Sequence, residues 1–192
     1  MRRAIAVLVA VAFLLGGLLS PSISFSSPQQ DFIDRQAVVA QEIVSQYGLF
    51  VSVYLAQAAL ESGWGTSSLA TQGNNYFGRK CGYSPCIKVW TDEWRNGQMV
   101  REEHYFQRYE TLEEAMRDYC QKYLRTWASG YPVYYIDTSS PFNFVDGITG
   151  NGEEARKYNR YATDPKYGNK LKSIIVQWDL EKYDRPLDEK EE

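Results

Sequence analysis

Glu61 is a single carboxylate in the otherwise apolar run LAQAALESGWG, residues 55–65, which ends in a glycine-flanked turn. The run predicts a buried helix with Glu61 in its last turn, where the helix dipole presents negative charge. Apolar neighbours such as Leu60 and Trp64 are expected to desolvate the carboxylate, and both effects favour its protonated form. A carboxylic acid of this kind can protonate the leaving oxygen of a glycoside. The run is equally compatible with a helix-end glutamate that faces water.

A general acid needs a second group, and a predicted β-hairpin offers Asp92 and Glu93. The β-prone runs IKVWTDEW and MVREEHYF flank an Asn-Gly pair, the strongest short hairpin signal. A two-residue turn pairs Asp92 with Arg101 and Glu93 with Val100, and strand alternation places the two acids on opposite faces. Because Arg101 neutralises Asp92, Glu93 is the better candidate to face a cleft. A bulge in the strand would reverse this choice.

Helical signals on both sides of the hairpin predict the elements that position these groups. The predicted helices run from Asp31 to Tyr47, from Val53 with Ser52 as its N-cap to about Ser62, from a Thr111–Glu114 capping box through Tyr123 to Trp127, from Ser140-Pro141, and from Asp164-Pro165 through Tyr167 to Trp178. The sequence therefore predicts one α+β domain, a helical body with a small β-hairpin lobe.

The N-terminus has the composition of a targeting segment. Arg2 and Arg3 precede an uncharged apolar run that is followed by Ser/Pro-rich sequence. We interpret residues 1–27 as a signal peptide or an uncleaved anchor, residues 28–183 as a catalytic domain, and residues 184–192 as a charged tail. The protein is expected to be secreted, extracellular or wall-associated, or periplasmic in a Gram-negative source. The net charge of −3 and the lack of a basic cluster argue against nucleic-acid binding.

Export would permit a disulfide, and Cys81 and Cys86 flank a turn-forming Gly-Tyr-Ser-Pro spacer that could bring them together. Cys120 lies on the apolar stripe of a predicted helix and is expected to be a buried, unreactive thiol. The three cysteines and the single histidine, His104, lack the paired spacing of zinc ligands. Neither a metal nor another cofactor is therefore expected.

Four segments in order resemble the family 73 glycoside hydrolases: AQAALESGWGTSSLA, NNYFGRK, WTDEWRNGQ and YATDPKYGNKL. These are the β-N-acetylglucosaminidases of bacterial autolysins and of the flagellar rod-cap hydrolase, and the resemblance covers roughly Gln36 to Trp178. It implies a lysozyme-like fold in which a substrate groove separates a helical lobe from a β-lobe. It also implies endo-hydrolysis of the GlcNAc-β-1,4-MurNAc bond in peptidoglycan glycan strands.

The resemblance implies a role for each matching residue. Glu61 matches the catalytic acid, Glu93 the second acidic residue of the β-lobe, and Tyr161 a tyrosine near the acid. The segment that lines the groove comprises Asn74, Asn75, Tyr76 and Phe77. Trp64, Tyr76 and Phe77 could stack on sugar rings, with Trp64 as an anchor of the helix end in the alternative interpretation. The loop from Cys81 to Cys86 departs from the glycine-rich stretch of many relatives.

Two other functions remain open from the sequence. A lytic transglycosylase also uses a glutamate in a lysozyme-like fold, but it cuts the bond on the MurNAc side. A catalytically silent wall-binding or assembly subunit would keep the groove for recognition alone, and the presence of both carboxylates argues against it. A membrane tether through the N-terminal segment and an envelope-assembly partner are further possibilities.

Overall fold

A computed structural model describes residues 26–95, 97–124 and 132–185, which form a helical body and a two-stranded antiparallel hairpin. The elements in chain order are α1 (Pro28–Gln46), α2 (Val51–Ser62), α3 (Ser68–Gly73), β1 (Cys86–Arg95), β2 (Gln98–Gln107), α4 (Leu112–Tyr123), α5 (Pro141–Thr149) and α6 (Tyr167–Gln177), with short 3-10 turns at Ala155–Lys157 and Leu180–Asp184. This architecture confirms the predicted α+β class.

The helical body is built around α2, whose residues 51–59 are all buried. Helices α1, α5 and α6 pack against α2, as does the turn Leu180–Asp184, so its apolar sequence fills the centre of the core. The helix ends at Gly63, which adopts the left-handed conformation with φ of +58°. The predicted buried helix and its glycine stop are confirmed.

Two predicted helix starts are wrong. Helix α1 begins at Pro28, three residues before the predicted Asp31, because the Ser27 side chain caps it by accepting a 3.1 Å hydrogen bond from the Gln30 amide. Ser52 is not an N-cap but lies inside α2. Its backbone amide donates to the Asp184 carboxylate at 2.8 Å, so a distant acid satisfies a donor in the first turn of the helix.

The first residues of the predicted C-terminal tail contact the helical body. The predicted tail begins at Asp184, but this residue is half-buried, and the Gln41 side chain donates to the Arg185 carbonyl at 3.1 Å. The described structure therefore includes Asp184 and Arg185, the first two residues of the predicted tail. The rest of the tail, the N-terminal segment up to residue 25 and the predicted helical position Trp127 lie outside the described residues.

The hairpin has the predicted register, with Asp92 opposite Arg101 and Glu93 opposite Val100. Its base is joined to the loop after α3 at Gln107, whose backbone carbonyl accepts a 2.8 Å hydrogen bond from Asn75 Nδ2. The disulfide between Cys81 and Cys86, with Cα atoms 5.7 Å apart, closes the loop that enters β1. The proposed pairing of these cysteines is confirmed.

The remaining helix signals are largely confirmed. Thr111 caps α4 by accepting from the Glu114 amide at 3.2 Å, and Ser140 caps α5. The α6 helix begins at Tyr167, two residues after Pro165, because the Asp164 side chain first accepts from the Lys166 amide and forms a turn. Among the described residues, no helix is long and apolar enough to cross a bilayer.

Candidate active site

Glu61 lies in the last turn of α2, at the point where the buried helix reaches the surface. The residue is exposed, so the predicted desolvation of its carboxylate is wrong. Its neighbour Leu60 is only partly buried, because the final turn of α2 emerges from the core. Within the described residues, one hydrogen bond holds the carboxylate: the Tyr167 hydroxyl donates to Glu61 Oε1 at 2.6 Å. Glu61 is therefore accessible to a ligand and anchored at one of its two oxygens.

Tyr167, the first residue of α6, provides that anchor from the interior of the body. It is 5% exposed, and its hydroxyl oxygen accepts a 3.1 Å hydrogen bond from Gln57 Nε2. Burial raises the pKa of Tyr167, and the nearby Tyr161 and Glu61 raise the pKa further. Tyr167 therefore keeps its proton near neutral pH and donates it to Glu61.

Tyr161 neighbours the ring of Tyr167 and, in the described part of the structure, does not itself donate to Glu61. Its ring stacks on that of Tyr167, with centroids 5.5 Å apart and planes 15° apart, and the Lys122 ammonium lies 3.9 Å from its centroid. Burial raises the pKa of Tyr161, with the Glu61 charge as the next cause. Tyr161 therefore lies beside the acid, but the hydroxyl that bonds Glu61 belongs to Tyr167.

The turn after Glu61 is fixed by packing and backbone conformation. Trp64 adopts φ of +59°, and its ring contacts Phe32 and Trp178 with centroid separations of 6.0 and 5.2 Å. The Gly65 amide donates to the Ser62 hydroxyl at 2.8 Å. These contacts favour Trp64 as an anchor of the helix end over Trp64 as a free stacking surface.

Two of the residues predicted to contact substrate belong to the scaffold. Asn75 is 1% exposed, and its side-chain nitrogen donates to the Arg79 and Gln107 carbonyls at 2.9 and 2.8 Å. Asn74 ends α3 with φ of +49° and donates to the Tyr109 carbonyl at 3.1 Å. Their amides therefore tie the loop to the base of the hairpin, and the side chain of Asn75 is buried against these partners. Contact of Asn74 or Asn75 with a substrate stays a prediction.

Tyr76 and Phe77 are half-buried aromatic residues on the same loop. Tyr76 packs edge-on against Phe32, whereas Phe77 contacts Tyr119 with centroids 4.7 Å apart. Phe77 also lines a cavity of about 250 Å³. The other residues that line this cavity are Gly78, Arg79, Lys80, Tyr109, Asp118, Tyr119 and Lys122. Since Lys122 also covers the Tyr161 ring, this basic cavity adjoins the tyrosines beside the acid.

Glu93 occupies the predicted position in β1, opposite Val100. Its side chain lies outside the described part of the structure. The assignment of Glu93 as the second carboxylate therefore stays a prediction.

The comparisons with known proteins agree with this arrangement. A family model described as mannosyl-glycoprotein endo-beta-N-acetylglucosaminidase matches residues 37–180, a range that contains Glu61, Glu93, Tyr161 and Tyr167. The chain belongs to this glucosaminidase family. The predicted family is thus confirmed.

Individual relatives match most of the chain. The exo-glucosaminidase LytG of Bacillus subtilis is 34% identical over 90% of this chain and 61% of its own length. The peptidoglycan hydrolase FlgJ of Salmonella typhimurium is 32% identical over 79% and 47%. The crystal structure of the catalytic domain of the autolysin Auto from Listeria monocytogenes matches with a TM-score of 0.71 and 30% identity, over 84% of this chain and 90% of that one. The chain thus spans less than two thirds of these two curated relatives but nearly all of a solved catalytic domain.

Sequence reasoning missed two residues of the site, Tyr167 and Gln57. The sequence places Tyr167 only in a predicted helix, although this residue stands in the same motif as Tyr161, YATDPKYGNKL. Gln57 precedes Glu61 by four residues and so lies on the same face of α2. A polar side chain on the acid's face of an apolar helix was the signal that could have identified Gln57.

Proposed function

We propose that the chain is a peptidoglycan hydrolase, an endo-β-N-acetylglucosaminidase that cleaves the GlcNAc-β-1,4-MurNAc bond with Glu61 as its general acid. Membership of the glucosaminidase family and the similarity to FlgJ, a peptidoglycan hydrolase, support the substrate class. One observation carries the assignment of the acid: Glu61 is exposed at the end of a buried helix while a buried tyrosine holds its Oε1 at 2.6 Å. Such a carboxylate is both oriented and accessible, as proton transfer requires.

In the proposed mechanism, Glu61 acts through the oxygen that Tyr167 does not bind. Tyr167 donates to Oε1, so the proton for the leaving group is carried on Oε2, which transfers it to the glycosidic oxygen as the bond to the GlcNAc anomeric carbon breaks. Glu93 then activates a water molecule, or stabilises the cationic sugar if the 2-acetamido group assists. Carboxyl groups about 5–5.5 Å apart would indicate a retaining reaction, and about 6.5–9.5 Å an inverting one.

Tyr161 contributes to substrate orientation in this proposal. Its ring is stacked on Tyr167 and lies under Lys122, which leaves it beside the acid without a bond to it. We assign it to positioning the acetamido group of the sugar. Tyr76 and Phe77 supply aromatic surface on the loop that leads to the hairpin, where a sugar ring can stack.

Zymography with Glu61→Gln tests the enzyme and its acid together. Wild type should clear embedded cell walls, whereas Glu61→Gln, which keeps the size of the side chain but has no acidic proton, should not. Glu103→Gln is the matched control, because Glu103 is an exposed hairpin glutamate paired with Lys88, and this variant should clear normally. Equal clearing by wild type and Glu61→Gln would contradict the role of the acid. Folded wild-type protein without clearing would favour a silent wall-binding subunit.

The location of the protein is a further proposal. Residues 1–27 have the charged start and apolar run of an export segment, so we place the protein outside the cytoplasmic membrane, on the wall or in the periplasm. If the segment is not cleaved, it tethers the catalytic domain to the membrane and limits the glycan strands within reach. An envelope-assembly partner would serve the same purpose. Mass spectrometry of the exported protein would detect cleavage after the segment.

A further inference from the structure

Gln57 is a fully buried amide in the middle of α2, one helical turn before Glu61. Its side-chain oxygen accepts hydrogen bonds from the Tyr119 and Tyr123 hydroxyls, both at 2.7 Å. Its side-chain nitrogen donates to the Tyr167 hydroxyl oxygen at 3.1 Å, and Tyr167 donates in turn to Glu61. A continuous chain of hydrogen bonds therefore runs from two tyrosines of α4 through Gln57 and Tyr167 to the acid.

The chain of hydrogen bonds has a defined direction. An amide oxygen has two lone pairs, and the two tyrosine hydroxyls use both of them on Gln57. This fixes the orientation of the amide, so the group that faces Tyr167 is the nitrogen, a donor only. Tyr167 has a single hydroxyl proton, and since Gln57 presents no acceptor to it, that proton is directed to Glu61 Oε1.

The reverse direction is disfavoured in this buried setting. If the Gln57 amide were turned around, its oxygen would compete with Glu61 for the Tyr167 proton, and Tyr119 and Tyr123 would both lose that oxygen as their acceptor. Loss of a partner at a buried hydroxyl is costly because no water replaces it. Burial also raises the pKa of Tyr119 and Tyr123 well above the ordinary tyrosine value, so both stay donors across the working pH range.

We propose that Gln57 is a positioning residue for the general acid: it keeps Tyr167 a donor to Glu61 Oε1, so that the catalytic proton is carried on Oε2. This inference rests on the proposed function, because it assumes that Glu61 is the acid. Gln57 does not reach the substrate and acts through Tyr167 alone. Its replacement should therefore slow the chemical step and leave substrate binding nearly unchanged.

Gln57→Glu tests the direction of these hydrogen bonds and almost preserves the shape of the side chain. The new carboxylate still accepts hydrogen bonds from Tyr119 and Tyr123, but it also presents an acceptor to Tyr167. Tyr167 then donates its single hydroxyl proton either to this carboxylate or to Glu61. We expect kcat on peptidoglycan strands to fall about ten- to a hundredfold, the scale of one hydrogen bond to a charged group, with KM within about twofold. The matched control is Gln36→Glu, since Gln36 is a buried glutamine of α1 that accepts from Tyr54 at 2.8 Å, and it should retain wild-type kcat.

A double variant separates positioning from a general loss of stability. If Gln57 acts through Tyr167, the Gln57→Glu/Tyr167→Phe protein should lose no more kcat than the more affected single variant, whereas independent effects would multiply. Should Gln57→Glu not fold, Tyr119→Phe/Tyr123→Phe removes the two hydrogen bonds that orient the amide. In that variant kcat should fall about two- to tenfold, the scale of one neutral hydrogen bond, with unchanged KM.

The outcomes distinguish this inference from the proposed function. If Glu61→Gln is inactive but folded Gln57→Glu keeps the wild-type kcat, the positioning role is wrong and the general acid stands. Wild-type kcat in the tyrosine double variant, or an equal loss of kcat in Gln36→Glu, would also overturn the positioning role. If Glu61→Gln itself retains wild-type kcat, the proposed function fails first.

Discussion

Replacing Gly65 by alanine should destabilise the protein by about 2–5 kcal/mol, because the substitution adds both backbone strain and a steric clash at this position. Gly65 has φ of +76°, a conformation that costs an L-residue about 1–2 kcal/mol. A Cβ atom there would also lie 2.9 and 3.0 Å from two carbons of the Phe32 ring, closer than carbon atoms normally approach. Overpacking of this kind costs about 1–3 kcal/mol, since Phe32 is itself 1% exposed and has little room to move.

Thermal and denaturant unfolding of Gly65→Ala would measure the effect. At about 2–4 °C per kcal/mol for a chain of this size, Tm should fall by roughly 4–20 °C. Gly48→Ala is the control for backbone strain alone, because Gly48 has φ of +66° and its Cβ would meet no atom within 4 Å. Phe32→Leu should lessen the penalty of Gly65→Ala in a double-mutant cycle. Equal destabilisation by Gly65→Ala and Gly48→Ala, or strictly additive effects in the cycle, would refute the role assigned to the Phe32 contact.

Three further predictions concern single side chains. Tyr167→Phe removes the donor to Glu61 and should lower kcat about ten- to a hundredfold with little change in KM; an unaffected kcat would contradict the role of this bond. Cys120 should resist iodoacetamide in the folded protein and react after denaturation, since burial raises the pKa of its thiol to about 12; rapid labelling of folded protein would be inconsistent with this burial. Burial raises the pKa of Asp184 above 3.8, so the folded state binds its proton more tightly than the unfolded state does. This residue should therefore reduce stability as pH rises just above 3.8, and urea unfolding of Asp184→Asn should lack that component.

Local features of the fold were predictable where a short sequence determines the geometry. The Asn-Gly turn sets the hairpin register, so the pairing of Asp92 with Arg101 follows without knowledge of the body. The caps at Thr111 and Ser140 are equally local. The predictions are wrong where contacts with residues distant in sequence determine the local structure. Ser52 resembles a helix cap in its sequence context, which cannot reveal that the carboxylate of Asp184, 132 positions away, accepts a hydrogen bond from its amide.

In the candidate site, too, the sequence does not reveal contacts between residues that are distant along the chain. The resemblance to the family makes Glu61 and Tyr161 candidates. The tyrosine that donates to Glu61 is Tyr167, however, and only the packing of α6 against α2 reveals which tyrosine reaches it. The sequence likewise leaves open whether Glu61 is desolvated or exposed, because the composition of α2 does not indicate where the helix leaves the core. For Gln57 the sequence offers only a polar side chain on an apolar helix, because its hydrogen bonds are with three tyrosines from other helices.

The central claim is tested most directly by the reducing ends that the enzyme releases from peptidoglycan. Glycan strands are digested with wild type and with Glu61→Gln, the products are reduced with borohydride, and mass spectrometry identifies the terminal sugars. The account predicts reduced GlcNAc termini on internal fragments with wild type and none with Glu61→Gln. Anhydro-MurNAc termini would instead indicate a lytic transglycosylase, reduced MurNAc a muramidase, and release of single terminal sugars an exo-acting enzyme such as LytG. Any of these results, or GlcNAc termini from Glu61→Gln at the wild-type rate, would contradict the account.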